Sequence, residues 1–327
     1  MRIHFNCNWG SASILFFCIL IAGCRHSTDN GLAHVTLVTD WYPQPEHGGF
    51  YTALLKGYYK AEGLDVTIQP GGPYVSPQQL VAVNSAQFGM STSDHMLESV
   101  GNGDPLIAVV ATMQHDPQGI MVHADSPVRS FADLGGHSVA IEPGSTWFEY
   151  LVKHYHLKDV HEIPATFSVA NFVQDPQYIQ QAFATSETFF ARQAGAQERF
   201  LLVSGTGYDP YRVTFTSRQF LEQHPELVGR FVRASIKGWK EYLRDPAAAN
   251  AEIARLNPAM NPAWEEFSWR ALKDGNFITG DDPSGAQVGQ YDPVRWTTMY
   301  NQLSDLKVIT HPFDPATAYT LQFLQKK

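Results

Sequence analysis

Trp41 stands in Asp40-Trp41-Tyr42-Pro43-Gln44-Pro45, directly after a β-rich run. An indole there offers a flat apolar face to an aromatic ligand and one N–H donor. Loops at strand ends are where open α/β sheets bind ligands; a tryptophan buried under the loop is the competing reading. His47 follows two residues after Pro45. Its imidazole can donate or accept a hydrogen bond to a heterocycle, or it can cap the helix that follows. Glu187 sits among Thr185, Ser186, Thr188, Phe189 and Phe190. A carboxylate among aromatic rings is costly to bury without a partner. A ring amine or amidine would supply two donors; a solvated helix-end glutamate is the alternative. Asp94 and His95 follow a short strand. Ser145 lies in Glu142-Pro143-Gly144-Ser145-Thr146, between a strand and a helix. Backbone N–H groups in such a place can hold a polar or anionic ligand end.

Other motifs fail on spacing. His154-Tyr155-His156 puts its imidazoles on opposite faces of a strand, or 200° apart on a helix, so it is no metal pair. Gly101-x-Gly103 lacks the third glycine of a dinucleotide fingerprint. Gly205-Thr206-Gly207 lacks the lysine of a phosphate loop, and no nucleophile-elbow serine is present. No catalytic residue, metal or cofactor is therefore expected. The 327 residues suggest about two domains. With 44% hydrophobic and 17% charged residues the chain is globular. The net charge of −9 argues against a nucleic-acid partner, which needs a basic face.

The elements that must position these residues read as alternating strands and helices. Strands are expected at Val35–Thr39, Asp65–Gln69 and Gln87–Met90, with helices at Gly49–Ala61 and Pro77–Val83 between them. This β-α-β-α-β opening implies a mainly parallel sheet with crossover helices. Leu106–Met113, Ile120–Val122 and Ser138–Ile141 are further strands, and Trp147–His156 is a helix. Arg212–Thr216 is β-rich, and from Ser217 the chain is mostly helical. Pro225 opens one long helix. Asp245-Pro246, Asn261-Pro262, Asp292-Pro293 and Asp314-Pro315 each place a capping side chain before a proline, a helix-start signal.

The first residues read as an export segment. An apolar run from Ala12 ends in Ile21-Ala22-Gly23-Cys24. It is too short to span a bilayer comfortably, and small residues before a cysteine resemble the lipoprotein signal of bacteria. The expectation is a signal peptide over 1–23, lipidation of Cys24 and a flexible tether over 24–34. The other cysteines, Cys7 and Cys18, would leave with the signal, so no intramolecular disulfide could form in the mature body.

Asp40 to Tyr51, and Lys56-Gly57-Tyr58-Tyr59-Lys60-Ala61-Glu62-Gly63-Leu64-Asp65-Val66, resemble the solute-binding superfamily of alkanesulfonate-, riboflavin- and thiamine-pyrimidine-precursor-binding proteins, which also includes the yeast-type pyrimidine synthase. Gln87-Phe88-Gly89, Gly103-Asp104-Pro105 and Asp133-Leu134-Gly135-Gly136 fit later landmarks. Thr185-Ser186-Glu187 is similar to the segment that supplies a pocket glutamate in the pyrimidine-precursor branch, although Thr188 stands where the family often has proline. Pro225-Glu226-Leu227-Val228 to Gly238-Trp239 resembles its crossover helix. In the synthase branch the histidine matching His47 is consumed as a substrate. That branch carries a cysteine-rich motif that nothing here matches.

The resemblance implies a type II periplasmic-binding-protein fold: two α/β lobes with mainly parallel sheets and a ligand cleft between them. The first lobe would take residues 35–119, the second 120–212, and 213–327 would return to the first as its helical part. The crossings are expected near Gly119–Ile120 and Arg212–Thr214, so Tyr208 and Tyr211 join Trp41, His47, Asp94, Ser145 and Glu187 as candidate ligand contacts. The function implied is that of an exported, monomeric solute-binding lipoprotein. It would be held to a membrane by its lipid and would deliver a small heteroaromatic metabolite, such as a thiamine pyrimidine precursor, to an ABC permease and ATPase. The alternatives are an alkanesulfonate- or riboflavin-type binding protein and, further off, a pyrimidine-synthase-like enzyme.

Overall fold

Ten strands form two five-stranded sheets. In chain order they are β1 (Ala33–Val38), β2 (Leu64–Gln69), β3 (Phe88–Thr92), β4 (Leu106–Met113), β5 (Gln118–His123), β6 (Ser138–Ile141), β7 (His161–Pro164), β8 (Ile179–Phe183), β9 (Glu198–Leu202) and β10 (Arg212–Ser217). The computed structural model describes Met1, residues 31–166 and residues 168–324. The expected signal, Cys24 and most of the tether lie outside the described residues. Leu32–Lys327 is one compact unit.

The first sheet has the order β2-β1-β3-β10-β4 and the second β7-β6-β8-β5-β9. Each has the parallel frame expected, with one inverted strand: β10 is antiparallel to both β3 and β4, and β5 to both β8 and β9. The reason lies in the connections. The parallel strands of both sheets end towards a common cleft. The chain leaves β4 there and enters β5 after only residues 114–117. A strand that starts at the edge where its neighbours end must run against them. The same holds for β10, reached through residues 203–211. Gly119–Ile120 and Arg212–Thr214, where the crossings were expected, lie inside β5 and β10; the chain passes between the sheets a few residues earlier.

Most local signals act as expected. Asn261, Asp292 and Asp314 accept from the backbone N–H groups of Trp264, Val294 and Ala316 at the starts of their helices. Ser130 and Asp133 form a reciprocal capping box. The helix expected over Gly49–Ala61 is two helices, Gly48–Leu55 and Tyr58–Ala61, because Gly57 adopts φ +71° between them. That left-handed conformation ends an α-helix.

The long helix Pro225–Tyr242 covers the first sheet. Its Phe231 stacks on Phe88 of β3 with ring centroids 3.8 Å apart, and Trp239 packs edge-on against Phe50. The helix Gly48–Leu55 crosses it closely: a Cβ on Gly238 would lie 2.2 Å from the Gly49 carbonyl oxygen. This packing fixes the segment just before Gly48, and with it Glu46 and His47 at the cleft edge.

Candidate functional site

Between the sheets lies a cleft of about 940 Å³. Its walls come from the strand ends. Asp40 and Trp41 follow β1, Asp94 follows β3, Asp116 lies on the first crossing and Arg212 opens β10. The second sheet supplies Glu142 and Ser145 after β6, Phe183 at the end of β8, and Glu187 and Phe190 on the helix Glu187–Gln193. Trp264, on the helix Pro262–Asp274, closes one side, with its ring centroid 4.6 Å from that of Phe190.

Four of the residues expected at the site line this cleft: Trp41, Asp94, Ser145 and Glu187. Trp41 also packs edge-on against Tyr42. The Ser145 hydroxyl donates to the Glu142 carbonyl at 2.7 Å. Three do not line it. His47 is fully buried, with Nε2 2.9 Å from Asp40 Oδ1. Tyr208 is buried and donates its hydroxyl to Asp94 Oδ2 at 2.7 Å. Tyr211 is buried, accepts from the Asp292 N–H and lies under the Arg295 guanidinium. The sequence placed all three near the right strand ends, but the side chains turn inward, His47 and Tyr208 behind the cleft carboxylates Asp40 and Asp94 and Tyr211 against Arg295.

The residue that ties these carboxylates together is Arg212, which sequence reasoning located without a role. Its Nη1 donates to Asp40 Oδ2 at 2.6 Å, Nε lies 3.3 Å from Asp116 Oδ2, and the guanidinium sits 5.4 Å from the centre of the Phe183 ring. A lone arginine opening an otherwise β-rich run was the available signal. Trp264 gave none, because nothing local ties a helix eighty residues further along the chain to Thr185. In the fold its Nε1 donates to the Thr185 carbonyl at 3.2 Å.

The protonation states follow from these contacts. Burial opposes the Asp40 charge, but the hydrogen bond with His47 and the Arg212 charge outweigh it and hold the carboxyl down at about 2. Burial also opposes the Asp94 charge. The His95 charge and the hydrogen bond from Tyr208 overcome it and keep this carboxyl low. Asp116 is pushed up by burial, with the repulsion of Asp94 and Asp209 adding to it against the Arg212 charge. Glu187 is raised chiefly by burial and also by Glu46, although Oε2 accepts from the Phe183 N–H at 2.7 Å.

Among the described residues lining the cleft, Asp40, Glu46, Asp94, Asp116, Glu142 and Glu187 face one arginine. That arginine is already engaged by Asp40 and Asp116. Such a cavity accepts hydrogen bonds and disfavours anions; aromatic side chains at its edges suit a flat ring. No group of histidine, cysteine and acidic side chains suited to a metal ion occurs among the described residues.

Residues 44–249, more than half of the chain, match the family model described as NMT1/THI5 like. The chain belongs to the NMT1/THI5-like family. It is 25% identical over 310 residues to the formylaminopyrimidine-binding protein of Halalkalibacterium halodurans, covering 89% of this chain and 92% of that one. The riboflavin-binding protein RibY of Chloroflexus aurantiacus is 23% identical over 304 residues, 90% of this chain and 86% of that one. A relative from Legionella pneumophila named 4-amino-5-hydroxymethyl-2-methylpyrimidine phosphate synthase is 24% identical over 307 residues, 89% of this chain and 92% of its own. The periplasmic aliphatic sulphonate binding protein SsuA of Escherichia coli superposes with a TM-score of 0.67 at 14% identity, covering 90% of this chain and 94% of that one. The fold is thus the type II periplasmic-binding-protein fold. Family members share this frame while bearing names of different ligands and of a synthase, so the cleft residues must decide between them.

Proposed function

We propose that this family member is the extracytoplasmic solute-binding component of an ABC-type importer, and that it captures a small heteroaromatic metabolite bearing amine or amidine donors, such as a thiamine pyrimidine precursor. The observation that carries the ligand class is Glu187, a half-buried carboxylate at the cleft wall, with Phe183 and Phe190 beside it in the lining. A carboxylate only accepts hydrogen bonds, and a donor pair on a flat ring satisfies it. Trp41, Asp94 and Ser145 complete the proposed contacts; His47 holds Asp40 and Tyr208 holds Asp94 in place. Closure of two lobes, hinged at 114–117 and 203–211, would retain the ligand through its stronger contacts in the closed state. The Ile21-Ala22-Gly23-Cys24 motif supports export and a lipid tether on Cys24.

An alkanesulfonate is disfavoured by the excess of carboxylates. The 940 Å³ volume favours a second reading, since it also admits a tricyclic flavin. A synthase role would consume His47, whose ring is sealed behind Asp40. Calorimetric titration with aminopyrimidines, flavins and alkanesulfonates tests the reading. Aminopyrimidine should bind, and Glu187→Gln and Trp41→Ala should each weaken it by about 1.5–3 kcal/mol while the fold stays intact. Binding of sulfonates alone, or unchanged affinity in both variants, refutes it.

A further inference from the structure

Beside the cleft lies a chamber of about 20 Å³, room for one water-sized group. It shares Gln181, Phe183 and Glu187 with the cleft, and Ala140 and Gln180 add to its lining. Small side chains on neighbouring strands leave the space open. Gln180 is 5% exposed, and its Oε1 has no hydrogen-bond partner among the described residues. The orientation of that amide is set chemically. Nε2 donates to the Gln181 carbonyl at 3.4 Å; the reversed amide would set two carbonyl oxygens against each other. Gln181 is oriented in turn, because its Oε1 accepts from the Glu142 N–H at 2.6 Å.

The chamber therefore presents two acceptors, the Gln180 amide oxygen and the Glu187 carboxylate. A buried acceptor left unpaired is costly; the Thr166 and Tyr178 hydroxyls also line the chamber, but no described residue donates to Gln180 Oε1. We propose that the chamber is a specificity subsite for a primary amino group on the ligand's ring, one N–H going to Glu187 and the other to Gln180 Oε1. An amino group has the size of the chamber and carries one donor for each of these two acceptors. A methyl group fits the space but leaves Gln180 Oε1 unpaired, and an oxo group repels both acceptors. Gln180 is thus the residue that separates amino-bearing rings from their oxo counterparts. This assignment rests on the proposed aminopyrimidine reading of the cleft.

Titration of the full folded domain with a 4-aminopyrimidine, its N,N-dimethylamino analogue and the corresponding pyrimidinone tests it. The wild-type protein should prefer the amino compound to each analogue by about tenfold or more. Gln180→Met, which keeps the length and loses the acceptor, should cut that preference to about threefold or less, by weakening binding of the amino compound and relieving the repulsion of the pyrimidinone. If the wild type binds the dimethylamino analogue as well as the amino compound, the subsite is wrong, and that comparison needs no variant to fold. Full discrimination in a folded Gln180→Met protein also overturns it, with the wider reading untouched. If the wild type takes flavin or sulfonate and no aminopyrimidine, the wider reading and the subsite fall together.

Discussion

The Thr185 hydroxyl donates to the Glu46 carboxylate, joining the segment after β8 of the second sheet to the segment after β1 of the first. Both side chains are buried. The Thr185 carbonyl also accepts from the Ser268 hydroxyl and the Trp264 indole. One residue thus fastens three distant parts of the chain at the cleft edge. Thr185→Val keeps the shape and deletes the donor, leaving a buried carboxylate short of a partner. It should lower the unfolding free energy by about 1.5–3 kcal/mol. A urea melt with an unchanged midpoint would show that the bond contributes nothing.

Arg212→Met should cost more. It strips the cation from Asp40 and Asp116 together, and breaking one side of a buried ion pair costs about 3–5 kcal/mol. Asp40 also links the site to acid stability. Its carboxyl is depressed from 3.8 to about 2, so its contribution is present above 3.8 and is lost as the pH falls through about 2. In Arg212→Met that acid loss should begin at a higher pH, which circular dichroism across an acid titration would reveal.

The first and second crossings meet at His115 and Asp209, where Nδ1 lies 2.6 Å from Oδ2. Arg295 donates to the Gln114 and Asp209 carbonyls and to the Asp209 carboxylate, binding the two crossings to one helix. The His115 imidazole is raised above 6.5, first by the hydrogen bond it donates to Asp209 and by the Asp209 charge, with Asp281 adding and burial and Arg295 opposing. A raised histidine stabilises the fold below its unfolded value, and that stability is lost as the pH rises through the folded value. His115→Asn should therefore cost stability near pH 6 and progressively less towards about pH 8.5. Urea midpoints measured at both ends check this; an equal cost at both would mean the pair acts by packing alone.

Two glycines separate steric from conformational demands. Gly238→Ala would drive a Cβ to 2.2 Å from the Gly49 carbonyl oxygen, forcing two packed helices apart. We expect a loss of about 1–3 kcal/mol from such overpacking. Gly57→Ala meets open space, yet must keep φ +71°, a left-handed cost of about 1–2 kcal/mol. Thermal melts should show that removing bulk from Trp239 or Ala53 does nothing to rescue Gly57→Ala, whereas Ala53→Gly should recover part of the Gly238→Ala loss, because Ala53 Cβ lies 2.7 Å from the added atom.

The strands and helices near strong punctuation were legible in the residues. Leu106–Met113 and Ser138–Ile141 are strands over their expected bounds, and the Asp-Pro and Asn-Pro pairs mark helix starts. The stretch from residue 157 to 211 was not legible. Its strands His161–Pro164, Ile179–Phe183 and Glu198–Leu202 are four or five residues long and carry glutamine, glutamate and arginine. Their pairing partners, not their own periodicity, make them strands.

Local chemistry settled which side chains stand at strand ends, and so put Trp41, Asp94 and Ser145 close to the site, whereas Glu187 was placed there by the family resemblance of Thr185-Ser186-Glu187. It could not settle which way a side chain turns. Tyr208 and His47 stand beside the same strand ends, yet they point away from the cleft because Asp94 and Asp40 give them partners there. Nor could it bring Arg212 to Asp40 or Trp264 to Thr185, pairs separated by 172 and 79 residues. Hydrogen bonding and burial at those distances depend on how two sheets and a helical tail are folded together, and only the tertiary structure decides that.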